Sequence, residues 1–248
     1  MRLDLQTWRD VERYLETADV IIMPIGSIEQ HGPNGLMGTD ALNAEAIARG
    51  VGETTGAMVG PVLAVGMAQH HLAFAGTMTL RPSTLIAVVH DCIVSLARHG
   101  FKRFYFINGH GGNIPAVTAA FSEVYADSSL QTGGNHPAIR CRLKNWWQTP
   151  AIAALSKELF GDAEGSHATP SEVALTWHLH PDAARPATLD PPLAPTGEFT
   201  DADDFRHRFP DGRIGSNPGL ASAAAGRRVF ETSVRDLAED FARWRAEP

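Results

Sequence analysis

VIIMPIGSIEQHGPNGLMGTD, residues 20–40, joins two kinds of sequence with no spacer between them. Residues 19–26 form a short, isoleucine-rich apolar run closed by glycine, the pattern of a buried strand. A strand apolar at every position belongs in a parallel sheet covered on both faces. The next residues turn at once to chemistry. Glu29, His31 and Asp40 stand among Gly32, Pro33, Gly35 and Gly38. Glycine and proline shape a turn, whereas two carboxylates and an imidazole can bind a cation or move a proton. Residues 41–51 are alanine-rich and read as a helix, so Asp40 sits at its threshold. Strand, reactive loop and helix in immediate succession are the signature of an α/β fold.

Working outward, the same grammar repeats. Residues 57–65 read as a second strand. Residues 83–100 read as a helix, with Ser83 placed to cap its start and Gly100 to close its end. Residues 102–109 form a third strand, followed at once by INGHGGN, residues 107–113. Residues 7–17, 113–126, 150–160, 170–179 and 221–246 read as helices, and 137–145 as a further strand. Residues 181–219, rich in Pro, Asp and Gly, read as a long irregular stretch suited to a hairpin or an oligomer contact. The alternation predicts a mostly parallel sheet within one domain spanning residues 1–248. Ligands in such sheets gather at the carboxyl ends of the strands. Both histidine-bearing loops, after the first and third strands, are therefore expected at one rim.

Composition narrows the function classes. The 248 residues carry a net charge of −7 and 20% charged side chains. An acidic chain without a basic face does not suit nucleic acid or anionic membrane. No stretch is apolar enough to span a bilayer, and the N-terminal residues read as an amphipathic helix, not a secretion signal. A cytoplasmic protein is expected, with Cys92 and Cys141 as reduced, buried thiols. The P-loop, the HExxH zinc motif and the GxSxG nucleophile elbow are missing from the sequence.

Imidazole and carboxylate together hold divalent transition metals. Glu29 and His31 are two apart, so in an extended segment both project to one side. Asp40 follows the turn and can bridge two ions through its two oxygens, and His110 adds a ligand from the second loop. A third segment, EGSHATPSEVALTWH at 164–178, offers His167 in a loop. It also offers Glu172 in the first turn of a helix that Thr169 or Ser171 can cap. There Glu172 either complements the helix dipole or reaches a metal. The backbone N–H groups of Gly111 and Gly112, beside a helix N-terminus, are placed to stabilise an oxyanion. With Asn113 they are the expected substrate-binding residues. Trp146, Trp147 and Trp177 suit either a pocket wall or the core, with packing favoured. His70 and His71 sit in a polar loop suited to lining a pocket, and His136, His178, His180 and His207 have no convergent partners.

GSIEQHGPNGLMGTD, NGHGGN and GSHATPSE in this order resemble the creatininase family, creatinine amidohydrolases and their relatives. The resemblance spans essentially the whole chain. It implies a three-layer α/β/α sandwich and hydrolysis of a carbon–nitrogen bond in a cyclic or linear amide by a hydroxide shared between two divalent metals. Zinc is the first choice, with manganese or iron as alternatives. It implies Glu29, His31, Asp40 and His110 as metal ligands with Asp40 bridging, Glu172 as the remaining carboxylate, and His167 as the proton shuttle. A homo-oligomer, often a hexamer, and a small-molecule amide substrate are implied too. Strict creatininases carry glutamate where this chain has Gly112, which argues against creatinine itself. Peptide or formyl amides, or a carbohydrate-type substrate, are the alternatives on the same site.

Overall fold

The computed structural model describes residues 1–130 and 138–247. His136, and Pro137 at the start of the fourth expected strand, lie outside that range. The elements in chain order are α1 (Trp8–Leu15), β1 (Val20–Ile25), α2 (Thr39–Thr55), β2 (Met58–Val59), α3 (Pro82–Ala97) and β3 (Arg103–Asn108). They continue with α4 (Ile114–Ser129), β4 (Arg140–Asn145), α5 (Pro150–Phe160), α6 (Pro170–Leu179), α7 (Ala202–Arg208) and α8 (Ala223–Arg245).

The four strands are all parallel, in the order β2-β1-β3-β4. Alternate residues of β1 serve opposite cores, as the two-residue period of a strand requires. Val20 and Ile22 pack with α2, α5, α6 and α8, whereas Ile21, Met23 and Ile25 pack with α1, α3 and α4. All five are essentially buried. Burying each such side chain contributes about 1.5–3 kcal/mol. Helices therefore cover both faces, and the structure is a three-layer α/β/α sandwich. Among the described residues, no helix is long and apolar enough to cross a membrane.

Four expectations need correction. The second strand does not run from 57 to 65, because β2 has only two residues. Pro61 has no N–H to donate, so the chain leaves the ladder after Gly60 and rejoins β1 at Leu63. Ser83 does not cap α3, which starts one residue earlier with Pro82 in its first turn and no side-chain cap. Pro82 has no free N–H and a fixed φ, which suits that position. The stretch 181–219 carries α7 and no hairpin among the described residues. Asp201 nucleates α7 by accepting hydrogen bonds from the N–H groups of Asp203 and Asp204. The two cysteines are free, as expected, but half-buried rather than buried.

Candidate metal centre

From β1 the chain passes through α2 to β2 on one side, then crosses back to β3 on the other. The loops after β1 and β3 thus diverge and leave a crevice at the carboxyl rim. Two glycines press the start of α2 into it. A Cβ on Gly26 would lie 2.6 Å from the Asp40 carbonyl carbon, and one on Gly109 would lie 2.9 Å from the same atom. Only glycine permits that approach, so Asp40 is held between the two strand ends.

The first loop is tied on both sides. The Glu29 N–H donates to the Met37 carbonyl (2.9 Å), and the Gly35 N–H donates to that of His31 (3.1 Å). In the second loop the asparagines of NGHGGN are the fasteners. Asn108 Nδ2 donates to the His110 carbonyl (2.6 Å), and Asn108 Oδ1 accepts from the His110 N–H (3.1 Å). Asn113 Nδ2 donates to the Gly26 carbonyl (2.9 Å), and its Oδ1 accepts from the Met67 N–H (2.9 Å). His167 precedes Ala168, whose φ of 52° is uncommon outside glycine. Thr169 caps α6 in a capping box with Glu172, whose Oε1 accepts from the Thr169 N–H (2.6 Å).

These segments converge. His31 Nε2 lies 3.0 Å from Asp40 Oδ1 and 3.9 Å from Glu172 Oε1. His110 Nδ1 lies 3.2 Å from Asp40 Oδ2 and 3.2 Å from Glu29 Oε1. Among the described residues three sets of candidate ligand atoms result: His31–Asp40–Glu172 and Glu29–Asp40–His110, joined through different oxygens of Asp40, and Glu29–His31–His167. The far nitrogens are engaged elsewhere. His31 Nδ1 donates to the Glu29 carbonyl (3.1 Å) and His110 Nε2 to the Met67 carbonyl (3.0 Å). Such outer bonds fix the ring so that the other nitrogen faces a metal. His167 Nδ1 stands 3.8 Å from Glu29 Oε1.

The electrostatics suit cations. Glu29 is fully buried, and both its carboxylate oxygens lack a hydrogen-bond partner, as does Asp40 Oδ2. A buried, unsatisfied carboxylate is costly, and divalent ions in the two sets that share Asp40 would satisfy these oxygens. Burial opposes charge on His31, but Asp40 outweighs it and raises the imidazole to about 10. Burial opposes charge on Glu29 too, yet His110 and His71 hold its carboxyl well below the usual range. Burial, offset in part by His31, lifts Glu172 to about 7. For His167, burial with His71 and His31 nearby pushes the ring well down, towards the neutral form. Protons and metal therefore compete for the same positions.

A cavity of about 570 Å³ opens beside Glu29, Asp40, His110, His167 and Glu172. Gly111 lines it, and a Cβ there would meet nothing within 4 Å. Gly112 and Asn113 do not line it. A Cβ on Gly112 would collide with His110 Nε2 and sit 2.5 Å from the Met67 carbonyl oxygen. Asn113 is a buried strut. Trp146 and Trp147 line the cavity as well as packing against the core, whereas Trp177 is buried in α6.

Gln30 escaped the sequence reading, which placed His71 only in a loop suited to lining a pocket. His71 is buried with Nε2 3.3 Å from Glu29 Oε1. Gln30 Nε2 lies 2.9 Å from His71 Nδ1. Gln30 sits between two candidate ligands in an extended segment, so its side chain points the opposite way; that alternation was the available signal. His71 belongs to the rim segment after β2, hidden by the broken strand.

The comparisons agree with this geometry. The family model described as creatinine amidohydrolase matches residues 4–241. The creatinine amidohydrolase of Pseudomonas putida is 28% identical over 94% of this chain and 93% of its own length. A mycofactocin precursor peptide peptidase of Mycobacterium ulcerans is 31% identical over 92% and 86%. A solved mutant creatininase of the Zn–Zn type superposes with a TM-score of 0.86 at 26% identity, covering 99% of this chain and 98% of that one. Motifs, fold and rim geometry converge on one conclusion: this chain belongs to the creatininase family of amidohydrolases.

Proposed function

We propose that the protein is a metal-dependent amidohydrolase that cleaves a carbon–nitrogen bond in a small amide. The observation that carries this reading is the pair of buried ligand sets sharing Asp40, with carboxylate oxygens left unbonded. Glu29, Asp40 and His110 would hold one divalent cation, and His31, Asp40 and Glu172 the other. Zinc is the first choice because imidazole and carboxylate suit it, and a relative with this fold is of the Zn–Zn type. Such ions supply an activated water near neutral pH and polarise the carbonyl under attack.

The chain's own residues do the rest. His167 Nε2 lies 2.9 Å from the Gln30 carbonyl oxygen, so that nitrogen carries a proton and Nδ1 faces the centre. His167 is our candidate for taking a proton at Nδ1 from the attacking water and passing it to the departing nitrogen, which leaves poorly as an anion. Gly111, open to the cavity, is our candidate for contacting the substrate backbone-first. Gly112 and Asn113 shape the loop behind it. Glu172 supplies the carboxylate that strict creatininases draw from the position of Gly112, where no side chain fits here. That difference favours an amide other than creatinine. The peptide peptidase among the relatives favours a short peptide as the second reading. We further propose that residues 1–248 act as one domain, cytoplasmic and assembled as a homo-oligomer.

The test is elemental analysis of the purified chain, then chelation, zinc reloading and a screen of creatinine, lactams, formamides, ureas and short peptides. Hydrolysis lost on chelation and restored by zinc is the expected result. Hydrolysis that survives complete metal removal would overturn the reading.

A further inference from the structure

Gln30 and His71 form a second layer behind the metal centre. Every polar atom of the Gln30 side chain is spoken for, and the partners decide where the protons go. The Gly32 N–H donates to Gln30 Oε1 (2.8 Å), and Gln30 Nε2 donates to the Gly212 carbonyl (2.9 Å). One backbone donor and one backbone acceptor therefore fix which end of the carboxamide is nitrogen. Gly212 is held there by its own backbone. Its φ is +86°, and a Cβ would collide with the Gln30 amide. His71 Nδ1 faces that amide nitrogen at 2.9 Å. An N–H against an NH₂ group would place donor against donor. His71 Nδ1 must therefore be bare, and in the neutral ring the proton sits on Nε2. Nε2 is the atom 3.3 Å from Glu29 Oε1. His167 Nε2, 2.8 Å from the amide nitrogen, already carries the proton it donates to the Gln30 carbonyl, so the amide's second hydrogen points to His71.

We propose that His71 is a positioning residue. Its Nε2–H faces Glu29 Oε1 at 3.3 Å and orients that carboxylate toward the ligand set it forms with His110, while Gln30 fixes the His71 tautomer. A protonated Nε2 cannot ligate, so His71 supports a ligand rather than acting as one. Phe205 meets the His71 ring edge-on with centroids 4.6 Å apart, which fixes the ring plane. The proposal rests on the metal-hydrolase reading, yet its first test does not.

Long-range ¹⁵N–¹H correlation of the metal-free protein reports which ring nitrogen of His71 is protonated, with His71→Gln assigning the signal. The Nε2–H pattern is expected for wild type. An Nδ1–H pattern would overturn the proposal, whatever the protein binds. The second test is a competitive chelator titration with zinc alone. His71→Phe keeps the ring and loses the donor, and is expected to weaken one of the two zinc ions by roughly 10–100-fold. His71→Gln places an amide N–H where Nε2–H stood, and is expected to recover most of that loss. Gln30→Glu replaces the donor with an acceptor and is expected to move the His71 proton to Nδ1 in the same spectra. Equal zinc affinity in folded His71→Phe and wild type would overturn the proposal. If His71→Phe fails to fold, the wild-type spectrum and Gln30→Glu still decide it. A wild-type chain that binds no zinc would sink the hydrolase reading while leaving the tautomer measurement intact.

Discussion

The three glycines of NGHGGN occupy different physical situations, and alanine substitution separates them. At Gly109 an added Cβ would lie 2.9 Å from the Asp40 carbonyl carbon and 3.1 Å from its Cα, with the carbonyl oxygen nearer still. Ordinary carbon contacts need about 3.5–4.0 Å, so α2 or the β3 rim must retreat by roughly an ångström. Neither neighbour is a flexible side-chain tip. Overpacking of this kind costs about 2 kcal/mol, which for a chain of this size lowers Tm by about 4–8 °C. Asp40 lies on the backbone that must move, and a misplacement of about 1 Å at a catalytic centre costs on the order of 10²-fold in rate. At Gly111 the same Cβ meets nothing within 4 Å. Gly111→Ala should leave Tm within about 2 °C and metal content unchanged. The assay is a thermal melt followed by bound-zinc analysis after desalting, on wild type, Gly109→Ala and Gly111→Ala. Gly109→Ala with wild-type Tm and full zinc would refute the claim that this glycine seats Asp40. Equal losses in both variants would refute the distinction between them.

Four further outcomes are expected. Asp40→Ala removes a group shared by two of the ligand sets, so elemental analysis should show loss of both metals and of hydrolysis, with the fold retained by circular dichroism. His167→Ala should keep its metal while turnover falls by about 10²–10⁴-fold; near-normal turnover would remove His167 from proton transfer. The metal-free protein should be sensitive to alkali. Asp40 raises His31 to about 10, above its ordinary value of 6.5, despite opposing burial. That raised value stabilises the folded state fully below about pH 6.5, and the contribution disappears as pH rises through about 10. Denaturant melts at pH 7 and 10.5 should show it. Calorimetry in buffers of different ionisation heat should show proton release on zinc binding at pH 7.

The sequence alone determined that β1 is apolar throughout, that reactive loops follow β1 and β3, and that α6 opens near Thr169 or Ser171 with Glu172 in its first turn. Those features depend on residues close in sequence. Pattern and spacing therefore showed the parallel sheet and the shared rim, and three motifs resembled those of the creatininase family. It did not show that β2 would shrink to two residues, since that depends on how Pro61 meets the neighbouring ladder. Gly112 and Asn113 looked like substrate contacts because they share a motif with Gly111, yet packing turned both away from the cavity. For Glu172 the structure shows the capping role and a place within a possible ligand set. Its Oε1 caps α6 and also lies 3.9 Å from His31, a distance set by how α6 packs on α2. Gln30, His71 and Gly212 are brought together from three separate parts of the chain. Only tertiary structure decides such meetings, because local sequence fixes the direction a side chain takes from its strand or loop, whereas its partner depends on where the rest of the chain packs.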